Sequence, residues 1–349
     1  MTDNKTLTNK IDFAVIISVN RANPNGDPLN GNRPRQTYDG YGEISDVCLK
    51  RKIRNRLQDM GESIFVQSDD NRAPGDEFRS LNERFSNEQF VKDYYKQQNE
   101  KKKNKKKDKA VEGTNSHEID IREESCKKWF DVRAFGQVFA FESQNKKKKA
   151  PENSNAQSTS DSNSDSDKNT NDSPDNADAV SIGIRGPVTI QSAFSIEPII
   201  PDSLQITKSV NLKTEDNPDK KGADTMGMKH RVDKGIYVTY GAINTQLASK
   251  THFWDADAEQ IRKALQTLFV NDVSSARPEG SMEVVKVIWW KHNSPCGQYS
   301  SAKVHGGLRE LLNKDGTYDS SKLKEKLKGL ETQELDPLES EELQKLCGK

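Results

Sequence analysis

Residues 11–19 read IDFAVIISV, and their alternation decides the fold class. Phe13, Val15, Ile17 and Val19 share one face, while Asp12, Ala14, Ile16 and Ser18 share the other. Side chains repeating every second residue mark a β-strand. The next periodic stretch, DVCLKRKIRNRLQDM at 46–60, places Leu49, Ile53, Leu57 and Met60 on one stripe. That spacing predicts a helix capped by Ser45 or Asp46 and ended by Gly61. Downstream, Val188, Ile190, Phe194 and Ile196 predict a second strand, and Ile236, Val238, Tyr240 and Ala242 a third. Residues 257–270 predict a second helix carrying Ile261, Leu265 and Leu268, with Asp257 and Gln260 at capping-box spacing. Residues 283–291 (EVVKVIWWK) predict a fourth strand. The order strand, helix, strand, strand, helix, strand is the ferredoxin-like βαββαβ layout of RNA-recognition folds, an α+β class. Alternation along the strands predicts helices on one sheet face and a second face left free.

The rest of the chain is organised around that core. Of 349 residues, 32% are apolar and 31% charged, against a typical charged share of about 25%. Two segments account for the excess. Residues 97–110 (QQNEKKKNKKKDKA) hold seven Lys, and 145–178 pass from four Lys into Asn, Ser and Asp. Neither can bury enough apolar area to offset chain entropy, so both are expected to be disordered or loop-like. The Lys run reads either as a nucleic-acid arm or as a solvated spacer. These boundaries give a discontinuous palm (11–60, 182–205 and 236–292), an insertion at 61–181, a loop at 206–235 and a helical extension at 293–349.

Charge excludes a whole-protein polyanion field, because Lys+Arg and Asp+Glu both total 54. A nucleic-acid site must then be local. The longest apolar run, Phe13 to Ile17, is far short of the ~20 residues that span a bilayer, and no charged-then-apolar leader opens the chain. Cys48, Cys126, Cys296 and Cys347 form no CxxC pair or zinc spacing. A cytoplasmic setting is expected, without a membrane partner.

Residues 20–42 (NRANPNGDPLNGNRPRQTYDGYG) are more than half Asn, Gly and Pro, and so form a loop leaving the first strand. Its amides and the guanidinium forks of Arg33 and Arg35 suit phosphate. It contains no GxxxxGK[ST] or GxGxxG, and a calcium loop starting at Asn23 would put Pro28 where Gly is required. A polar turn and a binding loop both fit. The loop leads into the helix carrying Lys50, Arg51 and Arg54, and from Asn20 to Met60 eight basic residues meet five acids. That local excess suits phosphate contacts without base reading. Farther on, TMGMKHRVDKG sets Met226 and Met228 beside Lys229, His230 and Arg231. A loop tip of this kind can wedge Met against a base while its cations hold phosphate; an ordinary mobile loop fits as well. No aromatic platform for base stacking is evident. Catalytic spacing is missing too: the five His form no HxxxH pair, there is no Gly-x-Ser-x-Gly, and Asp27, Asp46 and Asp131 share no metal-binding spacing.

Five blocks in order then form a recognisable set: NPNGDPLNGNRPR, DVCLKRKIRNRL, WFDVRAFGQVFA, IRGPVTIQSAFSIEPI and TMGMKHRVDKGIYVTYGA. Together they resemble the type I-C Cascade backbone subunit, of the CRISPR-associated Cas-seven family in the RAMP superfamily, over about half the chain. The resemblance implies an RRM-like palm, a fingers insertion and a thumb loop. It implies a prokaryotic, non-catalytic protein without cofactor or metal. Copies would polymerise along one CRISPR RNA, hold its backbone and leave bases free to pair with a target DNA strand. The other implied partners are further Cascade subunits and a recruited helicase-nuclease. Carried onto this sequence, the RNA-contacting set is Asn23, Asn25, Gly26, Arg33, Arg35, Lys50, Arg51, Arg54, Arg133 and Arg185, with Met226, Lys229, His230 and Arg231 in the thumb. The alternative is a metal-dependent RNA endonuclease of the same superfamily, with Asp27 as the first suspect.

Overall fold

The computed structural model describes residues 6–105, 119–140, 181–207 and 226–338. It has twelve strands and nine α-helices among the described residues. In chain order these are β1 (Ile11–Ala22), β2 (Gly26–Asp27), β3 (Arg33–Pro34), β4 (Tyr41–Ile44), α1 (Asp46–Asp59), α2 (Leu81–Ser86), α3 (Gln89–Lys105), α4 (Ile121–Lys128) and α5 (Phe130–Phe135). Next come β5 (Gly136–Ala140), β6 (Ser181–Arg185), β7 (Val188–Ile190), β8 (Ala193–Pro198), β9 (Pro201–Thr207), β10 (Met226–Ile243), α6 (Thr245–Thr251) and α7 (Asp255–Gln266). The series closes with β11 (Met282–Lys291), α8 (Ser301–Arg309), α9 (Ser320–Lys326) and β12 (Glu331–Leu335). The chain divides into two compact units, Met1–Gly136 with Ile184–Lys349, and Gln137–Gly183. In the smaller unit the described residues belong to the β5–β6 ribbon.

The main unit is built on an antiparallel sheet ordered β12-β11-β1-β10-β8-β4, with β7 and β9 also paired to β10. β1 lies at its centre because its run from Phe13 to Ile17 is apolar on both faces: all five residues are 0% exposed. One face is the expected one. Phe13, Val15, Ile17 and Val19 pack with Leu49, Ile53 and Leu57 of α1 and with Ile261 and Leu265 of α7. The Phe13 ring stacks on Trp289 at 5.6 Å between centroids.

The second face is not free, which corrects the expectation. Ala14, Ile16, Val238, Ile288 and Trp290 are buried there against Val304 and Leu308 of α8 and Leu323 and Leu327 around α9. Alternation predicted that this face is free, but Ala14 and Ile16 are apolar on that side too and must be covered. The covering helices lie in the segment taken as a helical extension. That segment is helical only in part, since β12 pairs along β11 and extends the sheet edge.

Other boundaries also shift. The second strand is split into β7 and β8, both paired to β10. α1 begins as expected, with Ser45 Oγ accepting the Cys48 N–H. α7 starts two residues before Asp257, whose carboxylate reaches back to the Trp254 N–H at 2.9 Å rather than pairing with Gln260. Of the Lys-rich run, 97–105 forms the end of α3 and not a loop, because a helix begun at Gln89 propagates more easily than it nucleates. Residues 106–110, 145–178 and 208–225 lie outside the described residues, so only the root of the expected thumb is seen, as the β9–β10 ribbon.

A buried polar cluster ties α8 to β1. The Asp12 carboxylate accepts Lys10 Nζ at 2.9 Å and His292 Nε2 at 2.8 Å, and lies 3.5 Å from His305 Nε2 on α8. Because His292 Nδ1 accepts the Gln298 N–H, its proton sits on Nε2 and is donated to Asp12. Burial pushes the Asp12 carboxyl up, but hydrogen bonds from His292, Ser301 and Lys10 outweigh it and hold the group below its ordinary value. Burial pulls His305 below its ordinary value of 6.5, against the attraction of Asp12.

Two predictions follow from this second face. Leu323→Ala should lower stability by about 2–5 kcal/mol in urea unfolding, as a cavity in a real core does; an unchanged midpoint would show that α9 covers nothing. Both shifted groups take up protons more readily when unfolded, so acid should destabilise. The loss begins as pH falls below the ordinary 6.5 of His305 and deepens below the ordinary 3.8 of Asp12. His305→Gln should flatten the first part of that fall, read as the thermal midpoint between about pH 7.5 and about pH 5.

Candidate nucleic-acid interface

The five sequence blocks meet in space through a series of specific contacts. Ala22, the last residue of β1, pairs with Val232 of β10, so the 23–35 loop starts beside the root of the β9–β10 ribbon. The loop is then fastened to α1. Asn25 Oδ1 accepts both the Ser45 N–H (2.9 Å) and the Ser45 hydroxyl (2.8 Å). α1 is joined to α5 by Arg54 Nε on Asp131 Oδ2 at 2.9 Å. Asp131 also accepts the Phe65 and Val66 N–H groups at 2.7 and 3.1 Å, so this 1%-exposed carboxylate anchors three strands of chain. The last joint is backbone against backbone. A Cβ on Gly136, whose φ is +82°, would fall 2.3 Å from Ile184 O, and one on Gly186 would fall 2.3 Å from Ala134 O. Only glycine permits that approach.

Many of the predicted RNA contacts are part of these joints, and their polar atoms face the protein. Asn23 is 4% exposed, with Nδ2 donating to Asn32 O at 2.8 Å. Gly26 lies against the same residue: a Cβ there would come within 2.0 Å of Asn32 Oδ1. Arg51 donates to Val66 O at 2.6 Å, and burial with the nearby Arg54 pulls its guanidinium below the ordinary value. Arg54 is packed 5.1 Å over the Phe135 ring. Arg133 forks onto Asp257 at 3.1 and 2.8 Å and lies 4.6 Å over Phe130. In each case a carboxylate, a carbonyl or an aromatic ring already occupies the guanidinium.

The others are less enclosed, and only some of them are exposed. Arg33 and Arg185 are exposed and have no acidic partner among the described residues. Lys50 is half-buried and pairs with Asp46 at 2.9 Å within its own helix. Arg35 lies 3.7 Å from Asp27. On the thumb ribbon Met226 and Met228 are exposed, Lys229 stands opposite Leu204, His230 Nδ1 meets Ser203 Oγ at 2.8 Å, and Arg231 meets Asp202 at 3.2 Å. Surface pairs of this kind contribute little and yield readily to a phosphate. Asp27, the endonuclease suspect, is turned to local use: its Oδ1 accepts the Leu29 N–H at 3.2 Å and caps a 3-10 turn.

Two features escaped the sequence reading. Lys52, 4% exposed, pairs with Asp272, which also holds Arg277 at 3.1 Å. Burial pulls the Lys52 ammonium down while Asp272 opposes. This cluster secures the 271–281 loop, whose Ala276 carbonyl accepts the Asn23 N–H at 2.9 Å. The other feature is the exposed tip of the first loop, where Leu29 and Tyr38 stand fully in solvent. Tyr38 was legible as an aromatic within an Asn/Gly loop; the Lys52 cluster, made of residues 220 apart, was not.

Comparison with known proteins places the class. The family model described as CRISPR-associated protein Cas7 matches residues 9–325. This chain belongs to that family. A CRISPR-associated protein Cas7 of Haloferax volcanii is 22% identical over 311 residues, covering 88% of this chain and 76% of its own length. Among solved structures, a chain of a "CRISPR RNA-guided surveillance complex, pre-nicking" aligns with a TM-score of 0.43 at 13% identity, covering 91% of this chain and 87% of that one. A second, from a "CRISPR RNA-guided surveillance complex", aligns with a TM-score of 0.39 at 11% identity, covering 93% and 87%.

The joints and the exposed cations should separate in mutation. Asp131→Ala leaves Arg54 without its carboxylate and two amides unbonded, and should cost about 3–5 kcal/mol in denaturant unfolding. Arg33→Glu and Arg185→Glu should leave the unfolding midpoint within about 0.5 kcal/mol of the parent. Equal losses in both groups would erase the distinction.

Proposed function

We propose that this Cas7-family chain is the guide-holding backbone subunit of a type I-C CRISPR surveillance complex. In this reading its copies line up along one CRISPR RNA, hold the sugar–phosphate chain and leave bases available for a target DNA strand. Other Cascade subunits and a recruited helicase-nuclease complete the machine. The observation that carries the reading is the convergence of the first loop, α1 and the thumb root, with Arg33 exposed beside the half-buried Lys50 and Lys229. Phosphate contacts of that kind position a strand without reading it. The palm is read as RRM-like: β11-β1-β10-β8 is the strand order expected of βαββαβ connections, with α1 and α7 on one face. The discontinuous palm, fingers and thumb follow from the same reading. Among the described residues no helix is long and apolar enough to cross a membrane.

The contact set is narrower than the block match implied. Asn23, Asn25, Gly26, Arg51, Arg54 and Arg133 act as positioning residues that shape the groove. Arg33, Arg35, Lys50, Arg185, Met226, Lys229, His230 and Arg231 act as the contact residues. No step of bond cleavage is assigned to the chain.

The test is RNA binding by the purified full chain as salt is varied. Affinity for single-stranded RNA should fall steeply and linearly on a log–log plot, by about 0.7 log units per log unit of salt for each phosphate contacted. Arg33→Glu with Arg185→Glu should reduce that slope by about one to two contacts. With guide RNA the parent should form stacked multimers under the electron microscope. Monodisperse protein that ignores RNA at low salt would sink the proposal.

A further inference from the structure

The second sheet face is only partly covered. α8 and α9 pack over β11, β1 and half of β10, and leave a cavity of about 470 Å³ between β8, β10 and the end of α8. Its walls include Phe194, Ile196, Val238, Tyr240 and Leu312. Phe194, opposite Val238 across the strands, is a large aromatic left 44% exposed on this face. The Tyr240 ring is already in use, with His305 at 5.0 Å and the Arg309 guanidinium at 5.1 Å. The free aromatic surface is therefore that of Phe194.

Polar groups at the mouth point to an anionic ligand with a planar, hydrogen-bonding part. Arg309 is exposed and has no carboxylate partner among the described residues. Two nearby acids are paired, Glu197 with Lys314 and Glu310 with Lys326, and Asp315 accepts the Thr317 N–H and hydroxyl. Gln191 uses its backbone to bond Tyr240 and Thr239, leaving its exposed carboxamide without a protein partner among the described residues. A second cavity of about 460 Å³ lies farther along the same strands, beside Ile236, with the exposed Lys234 at its rim. Four residues of β10 separate Ile236 from Tyr240, roughly 13 Å of strand. An exposed aromatic ring with a guanidinium beside it suits a base and its phosphate better than a neutral metabolite.

We propose that this cavity is a second nucleic-acid contact, taking one base of a single-stranded segment against Phe194, its edge at Gln191 and its phosphate on Arg309. The site is on the sheet face opposite α1 and does not depend on the guide-holding reading. RNA and DNA single strands offer the same chemistry to it.

The experiment uses the full chain with ten-nucleotide RNA carrying 5-iodouridine and, in a separate arm, DNA carrying 5-iododeoxyuridine. After irradiation, crosslinked peptides are mapped by mass spectrometry. The expected result is a crosslink at Phe194 or Tyr240 in at least one arm, with the stronger arm naming the natural strand. The crosslink should persist when Arg33→Glu and Arg185→Glu weaken guide binding. Phe194→Ala and Arg309→Glu, both at the surface, should each weaken capture at this site about 5-fold or more, the scale of one lost stacked base. Crosslinks confined to residues 20–60 and 226–232 would overturn the proposal and leave guide binding standing. So would an unchanged crosslink yield in Phe194→Ala, or a cavity that no oligonucleotide reaches.

Discussion

Everything in the main unit depends on β1 having no face it can show to water. Its side chains from Phe13 to Ile17 are apolar on both sides, and burying them requires a layer above and a layer below. α1 and α7 supply one layer, and α8 with α9 the other. The polar exception, Asp12, is tolerated because Lys10 and two histidines surround its carboxylate in the same layer. The consequence for function is rigidity. The loop leaving β1 at Ala22 and the ribbon rooted at Val232 start from one fixed register.

A second level of organisation is polar. Three of the seven candidate arginines, Arg51, Arg54 and Arg133, hold elements together. Arg54 and Arg133 each have a carboxylate on one side and an aromatic ring on the other, an arrangement that fixes a guanidinium in place. Asp131 is the centre of this network: it receives Arg54 and two backbone amides, and so sets α1 against α5. Arg33 and Arg185, exposed and without an acidic partner among the described residues, differ from the others in what surrounds them and not in type.

The same economy marks the second sheet face. α8 and α9 cover the centre of the sheet but stop short of β8, so Phe194 keeps a large part of its ring in solvent while its neighbours are sealed. Glu197 pairs with Lys314 and Glu310 with Lys326, whereas Arg309 has no carboxylate partner among the described residues. The sequence showed no aromatic platform because Phe194, Tyr240 and Arg309 are far apart along the chain and join only when β8, β10 and α8 are assembled.

Strand and helix positions were legible because they rest on local periodicity: Phe13 to Val19, Leu49 to Leu57, and Glu283 to Lys291 are where alternation and stripe placed them. Family membership was legible from five ordered blocks, each a short run whose residues act locally as turn, cap or strand. Whether the second face is covered was not, since Ala14 and Ile16 show only that something must lie on them, and α8 and α9 come some 290 residues later. Nor was it legible which arginines would be tied into the frame and which left in solvent. Arg33 and Arg54 are the same side chain in similar company along the chain, and only the fold brings Asp131 to one and leaves the other in water. Periodicity is a property of neighbours in sequence, whereas the partner of a charge is chosen by tertiary packing, and that choice decides what the charge can do.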